Sequence, residues 1–486
     1  MTDQPLAHDP LPADPPPIDP PPIDPLPIDL RVPMNIHIVG LGGAGMSAIA
    51  SVLAAMGHRV SGSDLKESAG LERLRAEGID VCIGHDARNL GDDLDYVAIS
   101  TAIPDRNLEV AAARERNIAV LRRAEMLGAI ARTRRTVAVA GTHGKTTTAS
   151  MLALVLTEAG LRPSFIIGGD VNEIGSGAVW SDGDWFVVEA DESDGTFVEL
   201  PRDAVVLTNV EPDHLEFHGS YEELLRQFDR FMSNGEGPKL VCADDEVARR
   251  MGEVHGAHTF GTVESAEFRM QNVALDRAGA TFELARHGDL VGSIQLPLAG
   301  LHNAINGCGA VAMGLLLGAT FEAARAALAK FGGVARRFEH RGEVDGVTFI
   351  DDYAHLPTEV AAALAAARTG EWKRIVAVFQ PHRYSRTASL WQEFGDAFVD
   401  ADVLAITDVY AAGETPRPGV SGKLVVQAVL DAHPWARVAY LPRRTDIATF
   451  LRSELRPGDL CLTLGAGDLT SLPAEMHELL RQERAA

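Results

Sequence analysis

Cysteine is scarce in this 486-residue chain: Cys82, Cys242, Cys308 and Cys461 lie far apart, with no CxxC pair and no metal-ligand spacing. That argues against a disulfide scaffold or a zinc ribbon, and the four read as reduced core thiols of a cytoplasmic protein. Long apolar runs are missing as well. No stretch approaches the roughly 18 to 20 consecutive apolar residues of a membrane span, and the N-terminus lacks the basic-then-apolar plan of a signal peptide. No membrane insertion and a cytoplasmic location are therefore expected. Positive charge is in deficit, with 44 Lys and Arg against 68 Asp and Glu and a formal net charge of −24. This balance argues against nucleic acid and anionic membrane surfaces as partners, although local N–H groups and a few cations can still hold a small phosphorylated ligand.

The residues that are present divide into unlike materials. Residues 1–33 repeat "PPID" in "DPPPIDPPPIDPLPID". Prolines at that density remove backbone donors and favour polyproline II, so a disordered Pro-rich tail is expected there. The remainder, with 46% hydrophobic residues over the whole chain, is too long for one core and reads as two to four domains.

Order is expected from "MNIHIVGLGGAGMSAIASVLAAMGHRVSGSD". Residues 36–39 read as a buried strand, 44–56 as a helix with one apolar face, and 59–63 as the next strand. The turn between strand and helix contains Gly40, Gly42 and Gly45 in GxGxxG spacing, with Gly43, Ala44 and Met46 alongside. Such a turn lets backbone approach a diphosphate and aims a helix N-terminus at it. Asp64 stands about 20 residues later, where a ribose hydroxyl is expected. The motif points to a nucleotide diphosphate without saying which nucleotide.

A second βα junction begins at "TVAVAGTHGKTTTASMLALVL". Residues 137–140 form the strand, and the helix starts at Lys145, so the N–H groups of Gly141, Thr142, His143, Gly144, Lys145, Thr146 and Thr147 are placed to cradle phosphate. Lys145 would face the β and γ phosphates and the Thr146 hydroxyl would ligate Mg2+. A strict P-loop has glycine where this chain has Val139, so the loop is a variant. A magnesium nucleotide needs further ligands, and "WFVVEADESDGTF" delivers Glu189 at the end of an apolar run. "AVVLTNVEPDHLEFHG" then brings Asn209, Asp213 and His214 to the end of the next strand. In a parallel sheet these carboxyl ends lie beside the P-loop. Carboxylate suits hard Mg2+, while His214 is as compatible with a turn cap as with a second metal.

Taken in order, "GLGGAGMS", "GTHGKTTT", "EADESDGTF", "NVEPDHLEFHG", "GLHNAINGCGA", "GGVARRFE", "DDYAHLPTE", "FQPHRYSRT" and "LTLGAGD" resemble the Mur ligases of bacterial peptidoglycan synthesis. The resemblance covers nearly everything from Met34 onward. It implies an α/β chain of three domains: a Rossmann-like UDP-sugar-binding domain over 34–134, a P-loop ATPase domain with a small antiparallel flap over 135–338, and a Rossmann-like ligase domain over 339–486. It also implies ATP and Mg2+ as cofactors, UDP-N-acetylmuramate and L-alanine as substrates, and a monomer or homodimer. By the same likeness, the Gly40–Gly45 turn holds the UDP diphosphate, with Asp64 and Ser100 near the uridine. Thr146, Glu189 and His214 are metal ligands. Asn303 and Asn306 approach the adenine, Arg337 the phosphates, and Asp352 the nucleotide. Tyr353 and His355 face the alanine site, while His382, Arg383 and Arg386 bind the acyl phosphate and the alanine carboxylate.

The chemistry that such residues suit is amide synthesis. A carboxylate and an amine do not condense in water unless the carboxylate is first activated, and phosphoryl transfer between anions is chiefly a matter of positioning and charge neutralisation. Two features depart from the family pattern: Ala354 and Leu356 stand in "DDYAHLPTE" where glycine and a second histidine are usual. The helix read over 220–234 contains no lysine, unlike the members that carry a carbamylated one, and this fits the alanine-adding type. A ligase that recycles a whole murein tripeptide onto the same UDP-sugar is the alternative within the family. Outside it stand a nicotinamide dehydrogenase, which leaves Gly-Lys-Thr and Glu189 unexplained, and a nucleotide-sensing regulator. The C-terminal third reads independently as apolar runs alternating with helices, and residues 265–297 as short antiparallel strands around "DRAGA".

Overall fold

A computed structural model describes residues 28–485 except 101 and 173. Each of its three α/β domains is built on a separate sheet. The first sheet contains β1 (Asn35–Val39), β2 (Arg59–Asp64), β3 (Asp80–Ile83), β4 (Tyr96–Ile99) and β5 (Ala119–Arg122), all parallel and ordered β3-β2-β1-β4-β5. The order reverses between β1 and β4, and that switch point opens a crevice at the strands' carboxyl ends. The glycine turn after β1 lies there, and a Cβ on Gly40 would stand 3.8 Å from the Ser100 hydroxyl.

The expectation of a tail reaching Pro33 is corrected at its end. Residues 1–27 lie outside the described residues, but Ile28 and Leu30 are buried in one core with Ile36, Ile38 and Leu53. Proline density does not prevent packing when isolated apolar side chains meet an open edge of the core. Just beyond, the Met34 N–H donates to His58 Nδ1 at 3.0 Å.

The central sheet has ten strands: β6 (Arg135–Ala140), β7 (Ser164–Val171), β8 (Ser176–Val179), β9 (Trp185–Glu189), β10 (Ala204–Leu207), β11 (Lys239–Cys242), β12 (His258–Gly261), β13 (Phe268–Asp276), β14 (Gly279–Arg286) and β15 (Asp289–Leu296). Their order is β15-β14-β13-β12-β11-β10-β6-β9-β7-β8. The expected antiparallel flap is β13 to β15, and it continues the edge of this sheet because β13 pairs in parallel with β12. Strand β6 sits between β9 and β10, so the loop after it is flanked by the segments that leave both neighbours. The helix Lys145–Glu158 is buried from Thr146 to Leu156, and its apolar residues run all round it. A helix of that kind belongs inside a domain, and this one packs against the buried helix Leu301–Leu316.

The third sheet contains β16 (Glu339–Val344), β17 (Val347–Asp352), β18 (Arg374–Phe379), β19 (Val403–Ile406), β20 (Val438–Tyr440) and β21 (Asp459–Leu464), ordered β16-β17-β21-β18-β19-β20. Only β16 is antiparallel to its neighbour. Before it, Arg336 and Phe338 adopt left-handed φ of 61° and 51°, a conformation that costs non-glycine residues energy and marks the junction between the second and third domains as tightly determined. Among the described residues no helix is long and apolar enough to cross a membrane.

Candidate active site

The loop after β6 is shaped by two glycines. Gly141 has φ +132°, and a Cβ there would lie 2.1 Å from the Thr208 hydroxyl; Gly144 has φ +77°, and its Cβ would fall 2.4 Å from Asn306 Oδ1. Gly144 caps the helix Lys145–Glu158 without any side-chain acceptor, which leaves first-turn N–H groups available to phosphate. We expect Gly144→Ala to weaken binding of a phosphate-bearing ligand at this loop at least about tenfold and to cost about 1–2 kcal/mol of stability, since the added methyl must push Asn306 away in a left-handed backbone. Ligand titration and thermal unfolding check both effects.

Lys145 is mostly buried and already saturated. Its ammonium donates to the Gly141 carbonyl at 2.6 Å and the Thr142 carbonyl at 3.2 Å, and lies 2.8 Å from the Glu192 carboxylate. Burial opposes its charge, but Glu192, Asp191 and Glu189 outweigh that and raise its pKa. Burial pushes the Glu192 carboxyl up despite Lys145. Thr146 Oγ1 donates to the Glu189 carboxylate at 3.0 Å, and Glu189 also accepts from the Gly168 N–H at 2.8 Å. Hydroxyl and carboxylate oxygens beside a phosphate cradle suit a hard divalent cation. His214, expected as a third ligand, is engaged in its own loop instead: Nε2 lies 3.3 Å from Asp213, and Nδ1 lies 3.7 Å from Glu216. Among the described residues no group of three or more His, Cys, Asp or Glu is arranged to hold a metal.

The other predicted nucleotide residues line a cavity of about 210 Å³ between the central and C-terminal domains: His143, Gly144, Thr147, Asn303, Asn306, Arg337 and Asp352. Asn303 Nδ2 donates to the Ala299 carbonyl at 2.7 Å. Asp352 accepts from the Phe338 and Ala354 N–H groups, and burial lifts its carboxyl to about 6 despite Arg337. The Thr142 hydroxyl is a loop pin, accepting from the Glu211 N–H at 2.8 Å.

His143 is the pivot of this cavity. Its Nδ1 lies 3.1 Å from Glu359 and its Nε2 3.1 Å from Glu211, carboxylates of two different domains, while Thr358 donates to Glu211 at 2.7 Å. Burial disfavours the imidazolium, but Glu359 and Glu211 together raise its pKa to about 9. The raised value means that the stabilisation is complete below the unfolded pKa near 6.5 and is lost as pH rises through about 9. Accordingly, the thermal midpoint of the protein should exceed that of His143→Gln by roughly 3–6 °C at pH 6.5, and the gap should close by pH 9.5. Sequence reasoning does not assign Glu211 or Glu359; in the structure Glu359 also caps the helix Pro357–Arg368, its Oε2 accepting from the His355 N–H.

From the C-terminal domain come Tyr353, His355, His382, Arg383 and Arg386. His355 Nδ1 lies 3.0 Å from the Tyr353 carbonyl, its ring 5.8 Å from that of His382. Burial holds His355 down to about 4 and His382 to about 3, so both rings are neutral near pH 7. His382 Nδ1 accepts from Arg386 and its ring stacks on Tyr410. Both arginines are already occupied by the central domain: Arg386 forks onto Asp213 at 3.0 and 3.2 Å, and Arg383 reaches Glu216 at 3.0 Å. The two arginines expected at the acyl phosphate and the alanine carboxylate thus bridge to the central domain. Ala354 and Leu356, the two departures, are buried in the core of this domain.

In the first domain, Asp64 accepts from the Gly42 N–H at 2.8 Å, and a Cβ on Gly42 would meet it at 2.9 Å, so Asp64 holds the glycine turn in shape. Met46 is 2% exposed and belongs to the core rather than to the surface of the turn, which corrects its expected place against the UDP-sugar. A cleft of about 550 Å³ runs from Gly42, Ala44 and Gly45 across to Gly168, Glu189 and Asp191 of the central domain. Arg123, not singled out from sequence, lines it and lies 3.4 Å from Asp194.

Profiles of the Mur ligase family match the chain in three consecutive parts: its catalytic domain over residues 35–135, its middle domain over 139–314, and its glutamate ligase domain over 336–467. The chain belongs to the Mur ligase family. Among Mur ligases it is 43% identical over 455 residues to the UDP-N-acetylmuramate--L-alanine ligase of Pelotomaculum thermopropionicum, covering 93% of this chain and 98% of that one. It is 46% identical over 450 residues to the enzyme of the same name from Rubrobacter xylanophilus, covering 91% and 99%. A crystal structure of UDP-N-acetylmuramate-alanine ligase from Thermotoga maritima aligns with a TM-score of 0.78 at 28% identity, covering 93% of this chain and all of that one.

Proposed function

We propose that the protein is an ADP-forming ligase that joins L-alanine to the lactyl carboxylate of UDP-N-acetylmuramate in cytoplasmic peptidoglycan precursor synthesis. The observation that carries this reading is the shared cleft: the glycine turn that suits a sugar-nucleotide diphosphate opens onto Glu189, the carboxylate that holds the P-loop Thr146. A UDP-sugar bound there would extend its acid towards the phosphate cradle. The relatives' names add the substrates.

In this reading the loop Gly141–Thr147 and Lys145 hold the ATP phosphates, and Thr146 and Glu189 hold Mg2+. His214 would join them by turning from Asp213. Asn303, Asn306 and Arg337 line the nucleotide cavity, and Gly40–Gly45, Asp64 and Ser100 form the UDP side. ATP would supply the phosphoryl group that activates the lactyl carboxylate as an acyl phosphate, leaving ADP; the alanine amine would then attack the acyl carbon, forming the amide and releasing inorganic phosphate. Arg383, partly exposed at the domain boundary, is the cation available to the alanine carboxylate after leaving Glu216. Neutral His355 and His382 offer acceptor nitrogens without adding positive charge where an uncharged amine must attack. The His143 and Arg386 bridges keep the C-terminal domain closed, which excludes water from the activated acid.

The test is phosphate release from ATP and Mg2+ with UDP-N-acetylmuramate, comparing L-alanine, glycine, L-serine and the murein tripeptide, with product mass measured in parallel. Release that requires both the sugar nucleotide and L-alanine, with the matching amide, is expected. Activity with the tripeptide alone would assign the recycling reaction instead, and release independent of the sugar nucleotide would overturn the ligase reading.

A further inference from the structure

The opposite edge of the central sheet carries a second, unassigned cleft of about 510 Å³, lined by Arg132, Arg134, Arg135 and Arg202 together with Asp184 and Asp203. It lies where β6, β9 and β10 begin, whereas the P-loop lies beyond the end of β6. A strand of six residues separates the two regions by about 20 Å. This cleft is therefore distinct from the nucleotide cavities.

Four arginines gathered in one concavity are unusual in a chain of net charge −24. Among the described residues, none of Arg132, Arg134 and Arg135 has a carboxylate within 4.0 Å. Arg134 and Arg135 are steered by aromatic rings, at 4.8 Å from the Trp180 centroid and 4.2 Å from that of Trp185. Arg134 Nε is buried without a hydrogen-bond partner. Arg202 is 9% exposed and spends its N–H groups on the carbonyls of Val198, Leu200, Arg230 and Phe231, with no carboxylate to balance it. Burial alone pulls its pKa down to about 10. Of the two acids, Asp203 is committed to the Thr136 N–H at 2.8 Å, and Asp184 is exposed.

Uncompensated guanidinium groups favour planar, bidentate anions, and a cavity of this size admits a small metabolite. We propose that this cleft is a binding site for a small phosphate- or diphosphate-bearing molecule, held by Arg132, Arg134 and Arg135 over the positive field of Arg202. Because its walls come from the segment Ala131–Arg135 leading out of the first domain and from Asp184 and Pro201–Asp203 of the central one, an anion bound there ties the two together.

Calorimetric titration of inorganic pyrophosphate into the full chain, with EDTA present, tests this, the arginine variants reporting on this cleft and Lys145→Met on the phosphate cradle. We expect a binding event that Lys145→Met leaves unchanged, that is weakened at least about tenfold in Arg132→Gln/Arg135→Gln and that is weakened by raising the salt. It should be accompanied by a change in Trp180 emission. Equal binding by the double variant, or no binding by the unaltered protein, would overturn the proposal. Should the double variant not fold, the exposed Arg132→Gln substitution alone serves, with about threefold weakening expected and an unchanged affinity counting against the site. The comparison of variants locates the site whether or not the proposed ligase activity is correct.

Discussion

Replacing Lys145 with Met is expected to lower turnover by at least about 10³-fold, the scale on which a cation placed against transferring phosphates acts. The same substitution should change how stability depends on pH. Lys145 is the counter-charge of Glu192, whose side chain is 2% exposed and whose pKa burial has already raised. Without the ammonium that pKa rises further, so the folded variant keeps a proton that the unfolded chain has lost near neutrality. Stability then falls as pH increases, because the native state is the one binding more protons. We expect the thermal midpoint of Lys145→Met to drop from pH 5 to pH 8 more steeply than that of the unaltered protein. Adding Glu192→Gln should remove the extra slope and leave activity lost. Thermal scans across that pH range, with phosphate-release rates on the same samples, separate the lysine's catalytic contribution from its structural one. A double variant that regained turnover would show that Lys145 serves only to neutralise Glu192.

The range of each interaction decides which parts of this site are legible in the sequence. Gly40 to Gly45 and Gly141 to Lys145 are short-range signals: a buried strand, a turn requiring left-handed backbone and a helix start occur within ten residues, so period and glycine placement expose them. Glu189 is equally readable, because a carboxylate at the end of a buried strand lies beside the next strand's loop in any parallel sheet. What the sequence does not show is long-range. His143 meets Glu359 across 216 residues and Arg386 meets Asp213 across 173, and both contacts depend on how two domains dock. A single chain pattern holds no record of that docking, so Glu211 and Glu359 carry no signal there and Asp213 is not legible as the partner of Arg386. Ile28 and Leu30 are hidden for another reason: among prolines their spacing follows neither strand nor helix period, yet two side chains are enough to close the edge of a core.

Arg386 gives the second large effect, and the expectation differs in kind from that for Lys145. Its guanidinium is 5% exposed, and Asp213, held below the usual carboxylate range by Arg386 against the opposing pull of burial, is 7% exposed. A buried pair of this sort adds little over an apolar replacement, but breaking it leaves one charge stranded at a cost of about 3–5 kcal/mol. Arg386→Met should therefore loosen the C-terminal domain, lowering the first thermal transition by roughly 6 °C or more. It should also reduce kcat/KM for L-alanine about 10³-fold, because His382 loses the donor that fixes its Nδ1. Asp213→Asn in the same chain is expected to recover most of the stability, giving a coupling energy of about 2–3 kcal/mol in a double-mutant cycle. It should not recover the rate, since no cation then ties "HRYSR" to the loop that carries His214. Arg386→Lys discriminates further. A lysine keeps the charge and loses the planar fork, so it should hold stability better than Met while restoring little of the alanine specificity. If Lys restored full turnover, charge alone would be the requirement, and the two-pronged geometry at Asp213 would have no part in positioning the site.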